Sequence, residues 1–404
     1  GNAATSDLNF NSTIYKFDGA TTITAASGDT IDMGAGAATT FTTAADNITF
    51  ATGNIELANG SNLTVDTGAA GGNITIGEIG GTSVETVTLD AGTGTTSVGV
   101  IGSGTEIGAL SIGSAENGGI TLNGAITTDG VVTLDGPITL ATGAITITTA
   151  DDAINLQGTV DGGQALTLSS GSAAVTVDGA IGSSTALTSL TVNSSGAGTI
   201  EIADIGTSSA VGVSGATAIG NTSTGTLTLD GTVYTTTGTQ TYTAATGGGN
   251  IDITNTAGTT FTTTNTAVAF NTSGVDLANN ATTTIDTGTG AGDVTFQGAI
   301  ETNGSDNDIL TVTSGTGTVT FTGAIGATEE LGGLNVNASS GNGVITFTST
   351  IGDSDNAGVI GTTSIGNAAT SDLNFNSTIY KFDGATTITA ASGDTIDMGA
   401  GAAT

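Results

Sequence analysis

The sequence has no cysteine, histidine or tryptophan, a single proline, and only two basic residues, Lys16 and Lys381, in 404 positions. Without cysteine there is no disulfide scaffold and no thiolate metal site. Without histidine or cysteine, nucleophilic catalysis by a Ser–His or Cys–His pair is excluded. Arginine is also missing, and 36 acidic residues set the net charge at −34. Phosphate neutralisation needs Lys and Arg, so nucleic acid is not an expected partner, and neither is an anionic lipid surface. Charged residues make up only 9%, against roughly a quarter in ordinary globular proteins. No apolar run reaches the roughly 18 residues of a membrane-spanning helix, so no membrane insertion is expected. Charge of one sign keeps such chains apart unless cations bridge them, which suits a secreted setting containing salt or calcium.

What the sequence does contain is glycine, 67 residues of it, and a recurring apolar–Thr–apolar triplet. Leu63-Thr64-Val65, Ile74-Thr75-Ile76, Val87-Thr88-Leu89, Ile120-Thr121-Leu122 and Val132-Thr133-Leu134 are examples. Alternation at period two marks short strands with one buried face, and Thr and β-branched residues suit a pleated surface. Between triplets lie turn pairs such as Asn123-Gly124, Asp135-Gly136 and Asp230-Gly231. No stretch has helical periodicity. The scarcity of proline and the abundance of Val, Ile and Leu argue for a folded chain.

Spacing selects the architecture. Adjacent triplets lie about 10–13 residues apart, and every second one recurs after about 21–25 residues. That predicts an all-β, elongated parallel β-helix or β-solenoid with coils of about 22 residues, two main strands per coil and room for a short third. The flanking apolar residues should point inward and stack on their equivalents. The central Thr should form an outward ladder, interrupted at Gly99, Ser111, Asn155 and Glu201.

Longer repeats overlie the coils. Residues 366–404 repeat residues 1–39 letter for letter, an offset of 365. The chain therefore reads as one 365-residue unit, residues 1–365, and the start of an identical second unit, residues 366–404. Older repeats lie inside it. Ile55-Glu56-Leu57-Ala58-Asn59 matches Val275-Asp276-Leu277-Ala278-Asn279 at an offset of 220, and Leu166-Thr167-Leu168 matches Leu310-Thr311-Val312 at 144. A unit of this length would hold about 16 or 17 coils and extend on the order of 80 Å.

Three segments carry a family resemblance: Val319-Thr320-Phe321-Thr322-Gly323-Ala324-Ile325-Gly326, the stretch from Leu331 to Val336, and Gly238-Thr239-Gln240-Thr241-Tyr242. With the overall composition, they resemble the large repetitive β-solenoid exoproteins of Gram-negative bacteria, of the filamentous-haemagglutinin and autotransporter-adhesin type. The resemblance implies a right-handed parallel β-helix, secreted or displayed on a cell surface, with roles in adhesion, aggregation or matrix. It carries no catalytic residues. The near absence of basic residues and the perfect long repeat depart from that family and favour a fibre or sheath.

Few residues could carry chemistry. Sugar hydrolysis needs paired carboxylates and aromatic platforms, and polysaccharide lyases need a strong base. The adjacent acidic pairs are Asp151-Asp152 and Glu329-Glu330, with few aromatics near either. Solvated turn acids are the simpler reading, so no catalytic residue is assigned and no enzyme is expected. No cofactor is expected either. Calcium is the one left open, with Asp293 in Gly290-Ala291-Gly292-Asp293-Val294, and Asp151 and Asp152, as weak ligand candidates. Tyr15, Lys16 and Phe17, recurring at Tyr380, Lys381 and Phe382, form the chemically distinct patch and a candidate contact between neighbouring units or chains.

The sequence thus predicts a structural extracellular fibre, sheath or adhesin stalk on a bacterial surface, self-associating end to end or laterally. Two alternatives stand beside it. One is a binding module for ice, glycan or calcium on a Thr- or Asp-lined face. The other, disfavoured by the residue inventory, is a polysaccharide-active enzyme.

Overall fold

The computed structural model describes residues 6–34, 36–113, 118–272, 274–304, 307–337, 341–356 and 358–399. The outermost residues of both copies of the duplicated segment, 1–5 and 400–404, lie outside the described residues. The described chain is all β, with no helix, and its parallel strands stack as a β-solenoid of about 16 turns spaced about 24 residues apart. The turn lies within the 21–25-residue recurrence of the triplets, a little above the expected 22. Among the described residues no helix is long and apolar enough to cross a membrane.

The chain divides into two compact units, Gly1–Leu187 and Thr188–Thr404. In the first, each turn places short strands on three parallel ladders. One ladder begins Leu8–Phe10, Thr30–Met33, Asn54–Leu57. A second runs Ile14–Lys16, Thr39–Thr42, Leu63–Asp66, Thr86–Asp90, Ala109–Gly113, Val132–Asp135, Ile154–Leu156, Val175–Val177. A third runs Thr21–Thr24, Ile48–Thr52, Ile74–Gly80, Thr95–Ile101, Gly119–Leu122, Ile138–Leu140 and Val160–Asp161. Ile74–Gly80 and Thr95–Ile101 are longer strands whose ends, Ile79 and Ile101, pair in the first ladder.

The second unit repeats this plan. Its longest ladder runs from Ser189–Asn193 through Thr217–Ile219, Gln240–Thr243, Val268–Asn271, Val294–Phe296, Val319–Phe321, Ile345–Phe347 and Leu373–Phe375 to Ile396–Met398. A second starts at Ile200–Ile202, and a third at Val233–Thr235.

The triplet explains the packing. In Leu63–Asp66, Leu63 and Val65 are buried while Thr64 is half-buried on the outer surface. In-register pairing then sets like on like. Leu63 sits beside Val87 and Val87 beside Leu110, a continuous apolar column inside each unit. In the longest ladder of the second unit one column of inward positions is rings. Phe270, Phe296, Phe321, Phe347 and Phe375 stack face to face at centroid spacings of 4.8, 5.4, 4.9 and 5.2 Å.

The same interior holds a satisfied polar network. The buried Gln240 side chain donates to the Tyr234 and Thr262 carbonyls at 2.7 and 3.0 Å, and its own carbonyl accepts from the Tyr242 hydroxyl at 3.1 Å. Glycine marks the corners where backbones approach closely. A Cβ on Gly317 would overlap the Gly292 carbonyl, and one on Gly343 would overlap that of Gly317.

Candidate functional site

Among the described residues, the outward faces are the surfaces on which the fold repeats a chemical group. On the third ladder of the first unit, Thr22, Thr49, Thr75, Ser97, Thr121 and Thr139 stand in register on successive turns, followed by Asp161. This corrects one expected interruption. Gly99 is not in the ladder, because Thr96 takes the buried position beside Ile74 and shifts the outward place to Ser97.

The second ladder carries Thr40, Thr64, Thr88, Ser111, Thr133, Asn155 and Thr176. Ser111 and Asn155 interrupt it as expected. Its flanking column is Thr42, Asp66, Asp90, Gly113 and Asp135, so threonines do not form a double array there. The aspartates serve the turns. Asp66 accepts the Gly68 N–H at 2.7 Å and Asp90 accepts that of Gly92 at 2.9 Å. A shallow open groove of about 350 Å³ crosses this face at Thr88, Leu110, Ser111 and Thr133.

Register also stacks carboxylates, which sequence reading missed because the residues lie a full turn apart. In the first unit Asp32 stands beside Glu56. In the second, Glu201, Thr228, Asp252, Asp276 and Glu301 share one outward column. Asp32 and Asp252, like Glu56 and Asp276, are separated by the 220-residue internal repeat. That repeat, combined with a parallel register, is the signal that could have found them. Burial, then the charges of Asp32 and Glu78, raise the Glu56 carboxyl above its ordinary value. Burial, then Asp252 and Glu301, raise that of Asp276, opposed by a hydrogen bond from the Asn250 amide. Glu301 is raised chiefly by burial, although it accepts the Thr328 and Glu329 N–H groups at 3.1 and 3.0 Å.

Each candidate metal ligand has a local hydrogen-bond partner. Asp151 lies in the first unit and accepts the Ser172 N–H at 2.9 Å, which holds its carboxyl below the ordinary value. The Asp152 carbonyl accepts the Thr149 hydroxyl. Asp293, in the second unit, accepts the Thr318 N–H at 2.8 Å and its hydroxyl at 3.0 Å. Among the described residues no three acidic side chains group to hold a metal ion.

The tyrosine of the Tyr–Lys–Phe patch makes the same ring and backbone contacts in both copies. Tyr15 stands edge-on to Phe10 at 5.0 Å, and Tyr380 edge-on to Phe375 at 5.0 Å. The tyrosine hydroxyls accept the Ser12 and Ser377 N–H groups. The neighbours differ. Tyr15 stacks on Phe41, a residue later in the chain, and Phe17 on Phe41 as well. Tyr380 bridges to Ile351 and Phe382 to Val359, both before residue 366, while the Lys381 ammonium donates to the Ser354 carbonyl at 2.9 Å. Lys16 is exposed.

No protein family matches this chain, and no curated protein or solved structure does.

Proposed function

We propose that this chain is a length-building structural segment of an extracellular bacterial fibre, sheath or adhesin stalk, without catalytic activity. One observation carries the reading: the described part of the duplicated sequence makes the same strand pairing in both of its positions. Leu8 pairs with Ile31 and Phe10 with Met33, while Leu373 pairs with Ile396 and Phe375 with Met398. Repetition of the sequence therefore repeats the structure. In such architectures stability is close to a sum of turn and neighbour terms, so length accumulates without a new fold.

The surface supports the same role. Its repeated groups are hydroxyls and carboxylates stacked in register on successive turns. Bridging of acidic faces by cations would provide lateral association. Immunogold electron microscopy on the source cells tests the reading. Label along extracellular filaments or a surface layer is the expected result, and label confined to the cell interior would overturn it.

The six-turn hydroxyl column from Thr22 to Thr139 favours a second reading, a face that binds ice or a neutral glycan. Thermal hysteresis, or glycan binding lost on Thr75→Lys, would establish it.

A further inference from the structure

The chain carries several Asn-x-Ser/Thr triplets, the acceptor pattern for sugar attachment to an Asn amide nitrogen. In a sequence rich in Asn and Thr the pattern alone decides nothing. The fold sorts the triplets by what each amide does.

Asn47-Ile48-Thr49 and Asn73-Ile74-Thr75 occupy equivalent places on successive turns of the first unit, each entering a strand of the third ladder. Ile48 and Ile74 are fully buried, so alternation turns the flanking Asn and Thr outward. Asn47 and Asn73 are both exposed. The Asn47 side-chain carbonyl accepts the Asn73 N–H at 2.8 Å. That of Asn73 accepts the Thr95 N–H at 2.9 Å and the Thr95 hydroxyl at 3.1 Å. A backbone N–H must face the oxygen of a side-chain amide, which fixes both orientations. Each Nδ2 is then left without a hydrogen-bond partner among the described residues. Asn62-Leu63-Thr64, on the second ladder, repeats the arrangement with a half-buried Asn, whose carbonyl accepts the Thr86 N–H at 2.8 Å. Two other triplets spend the nitrogen on the fold. The Asn221 amide donates to the Ser194 carbonyl at 2.7 Å, and the buried Asn337 amide to the Ser314 hydroxyl at 3.1 Å.

From this geometry we infer that Asn47 and Asn73 are sites of N-linked glycosylation. The reaction joins Nδ2 to the anomeric carbon of a sugar activated as a phosphate ester. The bond from that carbon to the phosphate oxygen breaks, the phosphate leaves with the bonding pair, and the amide gives one proton to a base. A separate transferase supplies the base and the activated sugar. The product keeps the side-chain carbonyl and one amide hydrogen. The bonds to the Asn73 and Thr95 N–H groups therefore survive attachment, whether the sugar arrives before or after folding. At Asn221 or Asn337 the same bond would set a sugar where the fold places a carbonyl or a hydroxyl.

Successive turns are about 4.8 Å apart, so the two sites crowd each other and one sugar per pair is the expected load. That sugar would stand over Thr49 and Thr75 and cover part of the hydroxyl column. It therefore goes beyond the length-building role, which stands with or without it, and competes with the reading of that column as a binding face.

Cleavage after Asp46, Glu56, Asp66 and Glu78 isolates the two triplets on peptides 47–56 and 67–78. The chain is purified from its source cells, and these peptides are read by mass spectrometry with electron-transfer fragmentation. The expected result is a hexose or N-acetylhexosamine increment on Asn47 or Asn73, and none on Asn221 or Asn337. Changing Thr49→Val and Thr75→Val together keeps both Asn bonds but removes the acceptor pattern, so the increment should vanish in the same cells. Thr49→Ser with Thr75→Ser should retain it. Unmodified Asn in both peptides overturns the proposal. So does an increment carried by a Thr hydroxyl, or one that persists in the Thr→Val chain.

Discussion

At the scale of single residues, parallel register turns modest residues into strong constraints. Strand pairing sets Asp276 between Asp252 and Glu301, with the Asn250 amide donating to it. Like charges directly opposite on adjacent strands are destabilising. Asp276→Asn should therefore raise the melting temperature at neutral pH, measured by circular dichroism. The sign with pH comes from the direction of the shifts. Asp252, Asp276 and Glu301 have folded values above their unfolded ones. Their opposition to folding is full at neutral pH and relaxes as pH falls through the raised values. Asp353 and Asp372 are lowered by backbone N–H bonds. Their contribution is present above the unfolded carboxylate range and is lost as pH falls through their folded values. Stability should thus peak on the mildly acidic side of neutral, and Asp276→Asn should flatten the fall from that peak toward neutral pH. A second residue-scale prediction concerns Gly317, whose missing Cβ lets the Gly292 carbonyl approach. Gly317→Ala should destabilise by about 1–3 kcal/mol in denaturant unfolding, as overpacked sites do.

At the scale of the strand and turn, the sequence showed which residues face inward wherever an apolar–Thr–apolar triplet stands alone. It misled where two phases compete. Around Thr96-Ser97-Val98-Gly99-Val100, alternation fits two registers, and only the neighbouring strand Ile74–Gly80 decides between them. The stacked carboxylates were hidden for a related reason: period-two patterning reveals faces but not which turns align. The phenylalanine stack is an element-scale device whose members lie 25–28 residues apart in sequence. Phe321 touches Phe296 on one side and Phe347 on the other. Phe321→Ala should cost about 3–5 kcal/mol, the usual loss for a buried ring. Hydrogen exchange should locate the damage in Val294–Phe296 and Ile345–Phe347 first. Uniform loss of protection throughout the chain would show that the turns are not separable in this way.

At the scale of the whole molecule, charge governs the response to solution conditions. With a net charge of −34, added salt should raise the melting temperature by screening self-repulsion. At matched ionic strength, sodium and magnesium series should differ little for the isolated chain. A shift specific to calcium would instead reveal a site that the dispersed aspartates do not suggest.

The shared register of the two 39-residue segments has a genetic consequence. Recombination between identical stretches adds or removes whole 365-residue blocks, and every turn at such a seam meets neighbours it already has elsewhere. Variation in the number of copies is then a change in reach that leaves the fold untouched, and selection can adjust the length of the product without solving a new folding problem.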